Sequence, residues 1–308
     1  MYTFCDGSGH ITSTLRFSKD VKAFNMFTDV KFPNSSSEYG PVLEFVRNYG
    51  WSVEKLILPH WFNANHAGIM FDAVKDRGSR ITTLSFSPSH LSIAGMNVLD
   101  EIIEMSPNVV SIGMSYFTFE NSTILSKVEN SLMRYKAQIY YLYLSWTTTE
   151  YWLSQITRII PTRDVLPKMG ALTLYGYNDK LSKDCVTWIV AMISAPPQPS
   201  SATALPEPLT RLKRIELRMI VLPPEDWESV IRAIDLTELE WLDLHTSNFA
   251  QDQLKLLVNQ IIDNVSSQAR VLSLCIKKKL FEQEEARTLC ATLRQKAPLV
   301  KFKLDVST

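Results

Sequence analysis

Pairs of apolar residues separated by one variable residue recur along this chain at Leu56/Leu58, Leu84/Phe86, Ile112/Met114, Leu142/Leu144, Leu172/Leu174, Ile215/Leu217, Leu242/Leu244, Leu272/Leu274 and Phe302/Leu304. Alternate residues of an extended strand project from one face, so each pair predicts a short strand with one apolar side. Most pairs follow one another at a period of roughly 28 to 30 residues, the signature of a repeat architecture. The interval from Leu172 to Ile215 is longer, but it contains a Pro-rich stretch, 195–208, and without that stretch it returns to the common period. Within each period the apolar spacing changes from two to three and four, as in Leu254, Leu257, Val258 and Ile261, or Ala286, Leu289, Cys290 and Leu293. That spacing puts the apolar residues on one face of a helix. Ser182 with Asp184, and Pro224 followed by Glu225 and Asp226, are helix start signals ahead of such runs. A strand and its helix cannot bury their apolar faces alone, so the pattern predicts nine such units stacked around one continuous core, with parallel strands side by side.

Upstream, Val30 and Phe32 with Val42, Phe45 and Val46 read as a tenth unit, a little less than one period ahead of Leu56. Alternating residues around Asp6-Gly7-Ser8-Gly9 predict a hairpin over the open end of the stack. The expected organisation is therefore an N-terminal cap at 1–29 and a repeat domain at 30–308, with the Pro-rich insertion at 195–208 as a surface loop.

A period of this length sits at the long end of the leucine-rich-repeat range. The run Leu239-Glu-Trp-Leu242-Asp-Leu244-His-Thr-Ser-Asn248-Phe249, followed by Leu254, Leu257 and Val258, resembles ribonuclease-inhibitor-like leucine-rich repeats. The resemblance implies an α/β solenoid, a horseshoe of about nine to ten repeats with a parallel sheet on its concave side and helices on its convex side. It also implies that Asn248, and Asn178 in an earlier unit, bond the backbone where it leaves the strand. Elsewhere that position holds His90, Thr118, Thr148, Val221 or Lys278, so the repeats are degenerate. The long units are similar as well to the repeat regions of fungal F-box and leucine-rich-repeat proteins, which would select substrates for ubiquitin ligation, although residues 1–50 do not read as an F-box.

The residue between the members of each pair, and those flanking the pair, face the concave surface in this geometry. Along the last six units the central row reads Tyr143, Thr173, Glu216, Asp243, Ser273 and Lys303. The row before it reads Tyr141, Ala171, Arg214, Trp241, Val271 and Lys301, and the row after it Ser145, Tyr175, Arg218, His245, Cys275 and Asp305. Tyr141, Tyr143, Tyr175, Arg214, Glu216, Arg218, Trp241, Asp243 and His245 form the candidate partner-binding patch, rich in the residue types that dominate interface hot spots. Arg214, Glu216, Arg218 and Asp243 also have the spacing of an internal salt-bridge ladder.

Thirty-two basic and 32 acidic residues cancel, so no global field favours nucleic acid, an anionic membrane or an acidic substrate. Lys277-Lys278-Lys279 reads as a solvated edge. Cys5, Cys185, Cys275 and Cys290 are dispersed and show no metal-ligand spacing, which fits a reduced, cytoplasmic or nuclear setting. No cofactor is implied. The sequence lacks a phosphate loop, a dinucleotide fingerprint and a G-x-S-x-G or H-E-x-x-H run, and only Asp243 with His245 has acid-base spacing. The expectation is a non-catalytic scaffold binding a protein partner through its concave face. Two alternatives stand beside it: the substrate-recognition part of an F-box-type adaptor that meets ubiquitin-ligase subunits, and a leucine-rich-repeat activator of small GTPases.

Overall fold

The computed structural model describes residues 2–5, 11–15, 28–31, 53–57, 68–69, 71–72, 75, 81–86, 93–106, 108–116, 122–145, 156–176, 181–195, 209–244, 247–264, 272–277 and 284–305. Expectations for the turn at 6–9, the helical pattern at 42–46, Asn178, His245, Lys278, Lys279 and residues 196–208 lie outside them. The chain divides into two compact units, Met1–Ile139 and Tyr140–Thr308.

In the first unit, β1 (Tyr2–Cys5) and β2 (Ile11–Leu15) pair antiparallel, in the manner of the expected hairpin. Strands β3 (Thr28–Lys31), β4 (Val53–Ile57), β5 (Thr83–Phe86) and β6 (Ser111–Tyr116) follow in parallel and in chain order. Val30 stands beside Leu56, Leu56 beside Leu84, and Leu84 beside Ile112, in the register that the apolar pairs predict. Helices α1 (Ile93–Glu104) and α2 (Ser122–Tyr135) belong to this unit, and Arg134 joins them through Asp100 and Glu104, each at 2.6 Å.

In the second unit, β7 (Ile139–Ser145, its first residue closing the preceding unit), β8 (Ala171–Tyr175), β9 (Arg214–Arg218), β10 (Trp241–Asp243), β11 (Leu272–Lys277) and β12 (Val300–Asp305) again run parallel in chain order. Helices α3 (Lys183–Ile193), α4 (Pro224–Ala233), α5 (Gln251–Asn264) and α6 (Glu284–Lys296) alternate with the later strands and pack against their neighbours. Leu142, Leu144, Leu172, Leu174, Ile215, Leu217, Leu242 and Leu244 are buried, as are Leu254, Leu257, Val258 and Ile261 of α5. Core and helix face are thus the two periodicities of the sequence brought together, each large side chain contributing roughly 2 kcal/mol by burial.

Local signals set the helix starts. The Ser182 hydroxyl accepts from the Cys185 amide ahead of α3. Pro224 opens α4, where a missing N–H costs nothing, and Glu225 and Asp226 follow in the first turn. Among the described residues, no helix is long and apolar enough to cross a membrane.

One expectation is corrected. Trp241 and Asp243 stand beside Ser273 and Cys275, which in turn stand beside Lys301 and Lys303. The pair of β11 that aligns with Leu242/Leu244 and Phe302/Leu304 is therefore Leu274/Ile276, not Leu272/Leu274. Cys275 takes the central row in place of Ser273, and Ser273 replaces Val271 in the row before. Strand β11 carries three alternating apolar residues, so a slip of two keeps the apolar side inward and leaves the pattern degenerate.

The flanks of the Pro-rich insertion meet at a buried cation. Arg163, in a short 3-10 turn (Arg163–Val165), donates to the carbonyls of Ser194 at 3.1 Å, Met169 at 3.5 Å and Thr210. Burial pulls its guanidinium pKa down to about 10, against the attraction of Asp235, and leaves it a cation at neutral pH. Asp235 itself binds Arg211 at 2.7 Å.

Candidate functional site

The sheet face of the second unit opposite its helices carries eight of the nine candidate residues; the ninth, His245, is outside the described residues. Tyr141 and Tyr143 come from β7, Tyr175 from β8, Arg214, Glu216 and Arg218 from β9, and Trp241 and Asp243 from β10. Register aligns Tyr143, Thr173, Glu216 and Asp243 across the four strands and sets Tyr175 beside Arg218.

Charge is organised vertically. Glu216 and Asp243 have side chains only 5% and 2% exposed, whereas Arg214 and Arg218 are 49% and 33% exposed. The carboxylates form a floor and the guanidiniums lie over it. Arg214 Nε donates to Glu216 Oε1 at 2.5 Å, and Arg218 reaches both Glu216 Oε2 at 3.1 Å and Asp243 Oδ2 at 2.9 Å. Burial works against the charge on Arg218, yet Glu216 and Asp243 outweigh it and hold its pKa above the ordinary value. The internal ladder that the sequence spacing suggested is formed. It gives the carboxylates cationic partners that a buried anion needs, and it fixes two flexible cations in place.

Aromatic rings surround the ladder. The Arg214 guanidinium carbon lies 5.1 Å from the centroid of the Trp241 ring. Tyr143 lies within electrostatic reach of Arg218. The Tyr141 hydroxyl donates to Thr173 Oγ1 at 3.4 Å, and burial raises the phenol's pKa against that bond. Thr173 is itself buried. Tyr141, Tyr143, Tyr175 and Trp241 are all half-buried, each partly covered and partly accessible. The row the sequence reads as facing outward is therefore split: Tyr143 keeps an accessible part, while Thr173, Glu216 and Asp243 are covered. Alternation decides which way a residue points, but the longer side chains of the flanking rows decide whether it is reached.

Just beyond β10, the Asn248 side chain bonds the backbone of the loop after β9. Its Oδ1 accepts from the Leu222 amide at 3.0 Å and from Trp227 Nε1 at 2.7 Å, and its Nδ2 donates to the Leu222 carbonyl at 2.8 Å. The loop after β9, where Val221 has no side-chain amide to offer, is thus tied by a side-chain amide that follows β10. Sequence reasoning passed over the fully buried Ser247, whose hydroxyl donates to the Leu217 carbonyl and accepts from the Ile220 amide at 3.3 Å. Between them Met219 takes a positive φ of 52°, a conformation costing roughly 1 kcal/mol or more that these bonds hold.

Compared with protein-family models and with curated protein sequences, the chain matches none.

Proposed function

We propose that this chain is a leucine-rich-repeat solenoid of nine or ten units and that it binds another protein, without catalysis, through the helix-free face of its sheet. The repeat reading rests on the regular apolar period, the parallel strands in chain order and the backbone bonds of Asn248. One observation carries the binding reading: four half-buried aromatic residues surround two arginines held in place by buried carboxylates. Such a surface has lost much of its side-chain freedom before a partner arrives, which lowers the entropic cost of association. Asp243, the carboxylate with acid-base spacing, is committed to Arg218, and that supports a non-catalytic role.

The test is a tagged pull-down from native extract with mass spectrometry, using the wild type and a Tyr143→Ala/Trp241→Ala variant in parallel. Proteins recovered only with the wild type support the proposed face. Identical sets place binding elsewhere, and ubiquitin-ligase subunits retained by the variant while other proteins vanish would make the chain a substrate adaptor.

A further inference from the structure

The polar groups at the centre of the binding face are sorted by depth. The carboxylate side chains of Glu216 and Asp243 are covered, while the Arg214 and Arg218 side chains above them are 49% and 33% exposed. A guanidinium has N–H donors on all three of its nitrogens and no acceptor. Glu216 and Asp243 engage Nε and Nη2 of these arginines, and Nη1 carries further N–H groups on each. At this centre, then, the charged groups that a partner can reach only donate, and the charged groups that could accept lie beneath them. Thr173, a hydroxyl in the same row, is buried as well. Half-buried rings flank the centre: Tyr141 and Tyr143 on β7, Tyr175 on β8 and Trp241 on β10.

We propose, resting on the reading of this face as the docking surface, that its occupant is an uncharged, proline-rich segment of another protein, extended as a polyproline II helix across the strands. Its proline rings pack on the Tyr and Trp rings, and its backbone carbonyls accept from the arginines. The match is one of donors to acceptors. Proline has a carbonyl but no N–H, and a polyproline II backbone makes no internal hydrogen bonds, so its carbonyls are open to a partner. An ordinary extended peptide would bring N–H groups to a centre whose carboxylates are covered, where each would lose water without gaining an acceptor. An amphipathic helix spends its backbone groups on itself, and its apolar stripe would cover the arginine donors without accepting from them. The phosphates of a nucleic acid do accept, but they would meet the charges of Glu216 and Asp243, which already neutralise the two arginines. Length agrees too: from β7 to β10 is about 14 Å at the usual strand separation, a distance that about five residues of polyproline II cover.

The test is selection of random peptides displayed on phage by the immobilised full chain, followed by fluorescence anisotropy with labelled decaproline, a Gly-Ser peptide of equal length and oligouridine. The selected peptides should be enriched in proline, and decaproline should bind where the Gly-Ser peptide does not. Trp241→Ala and Tyr143→Ala should each weaken decaproline on the order of tenfold, and Arg214→Met, which keeps the stem but removes the donors, roughly fivefold. Circular dichroism checks that each variant is folded, and Tyr143→Ala makes the ring comparison should Trp241→Ala unfold. Salt should change the affinity by less than about twofold, because the ligand is uncharged. Unchanged binding in Arg214→Met overturns the donor-to-acceptor match and the proposal with it. Selected peptides that need Trp241 or Tyr143 but are not enriched in proline overturn the proposal and leave the docking face standing. Oligouridine binding that falls steeply with salt and is lost in the ring variants overturns it in favour of nucleic acid. Failure to select any peptide dependent on these rings removes both the proposal and the face on which it rests.

Discussion

Arg214 on β9 and Trp241 on β10 form a stacked pair across neighbouring strands, with the guanidinium carbon 5.1 Å from the ring centroid and Nε bonded to Glu216 at 2.5 Å. The cation is thus held from below by charge and from the side by a ring. Removing it and removing Arg218 should have different consequences. In Arg214→Ala, Glu216 keeps Arg218 at 3.1 Å and the loss is about 1 kcal/mol. In Arg218→Ala, the 2%-exposed Asp243 loses its guanidinium, and the loss should reach about 3 kcal/mol. Urea unfolding of both variants checks the order; equal losses would mean that the two arginines are interchangeable.

Asn248 closes the loop after β9 with three side-chain hydrogen bonds, one of them from the indole of the buried Trp227. Asn248→Ala should cost about 2 kcal/mol, because it strands polar groups that folding has taken from water. Asn248→Asp keeps the two acceptor bonds but sets a carboxylate oxygen against the Leu222 carbonyl, where two acceptors repel, so its cost should approach that of Asn248→Ala. Both costs are read from denaturation midpoints. A red shift in indole fluorescence confined to the Ala variant would show that Trp227 has lost its anchor.

How much of this was legible in the sequence depended on whether one residue's period or several residues' packing settled the question. Strand positions and the alignment of Val30, Leu56, Leu84 and Ile112 followed from the apolar pairs, and Ser182 and Pro224 marked their helices by local chemistry. The register of β11 did not, because Leu272, Leu274 and Ile276 satisfy the period equally well and only the neighbouring strands choose between them. The candidate residues were legible as a group. Their depth was not, since the burial of Glu216 and Asp243 depends on where Arg214 and Arg218 fold. Nor did any spacing announce Arg163, whose partners at Ser194 and Thr210 are brought together only by the fold.

Gly170 makes room for Tyr140. A Cβ placed on Gly170 would overlap Tyr140 Cε2, and the Gly170 amide donates to the Tyr140 carbonyl at 2.9 Å. Gly170→Ala must push the ring aside. Because Tyr140 is already exposed at the surface, the ring has somewhere to go, and the loss should be about 1 kcal/mol. Tyr140→Ala should remove most of that loss in the double variant, whereas Tyr140→Phe should not, since the phenyl ring still fills the space. A Gly170→Ala effect that survives Tyr140→Ala would move its origin to the backbone.

Cys290 gives α6 a pH response with a definite sign. Its side chain is buried, and burial pushes the thiol up to about 11 from an ordinary value of 9.0, against the weaker pull of Arg294. An unfolded chain ionises this thiol on passing its ordinary value, while the folded chain still holds the proton. The stabilising contribution is therefore complete below the ordinary value and is lost as pH rises through the folded value. Urea midpoints taken across that interval should decline in the wild type and decline less steeply in Cys290→Ala. Thiol labelling gives an independent readout: in a Cys5→Ser background the three remaining cysteines, all buried, should react with a thiol reagent only as the chain unfolds. Rapid labelling of Cys290 in the native protein, located by peptide mapping, would show an accessible thiolate and reverse the expected pH trend.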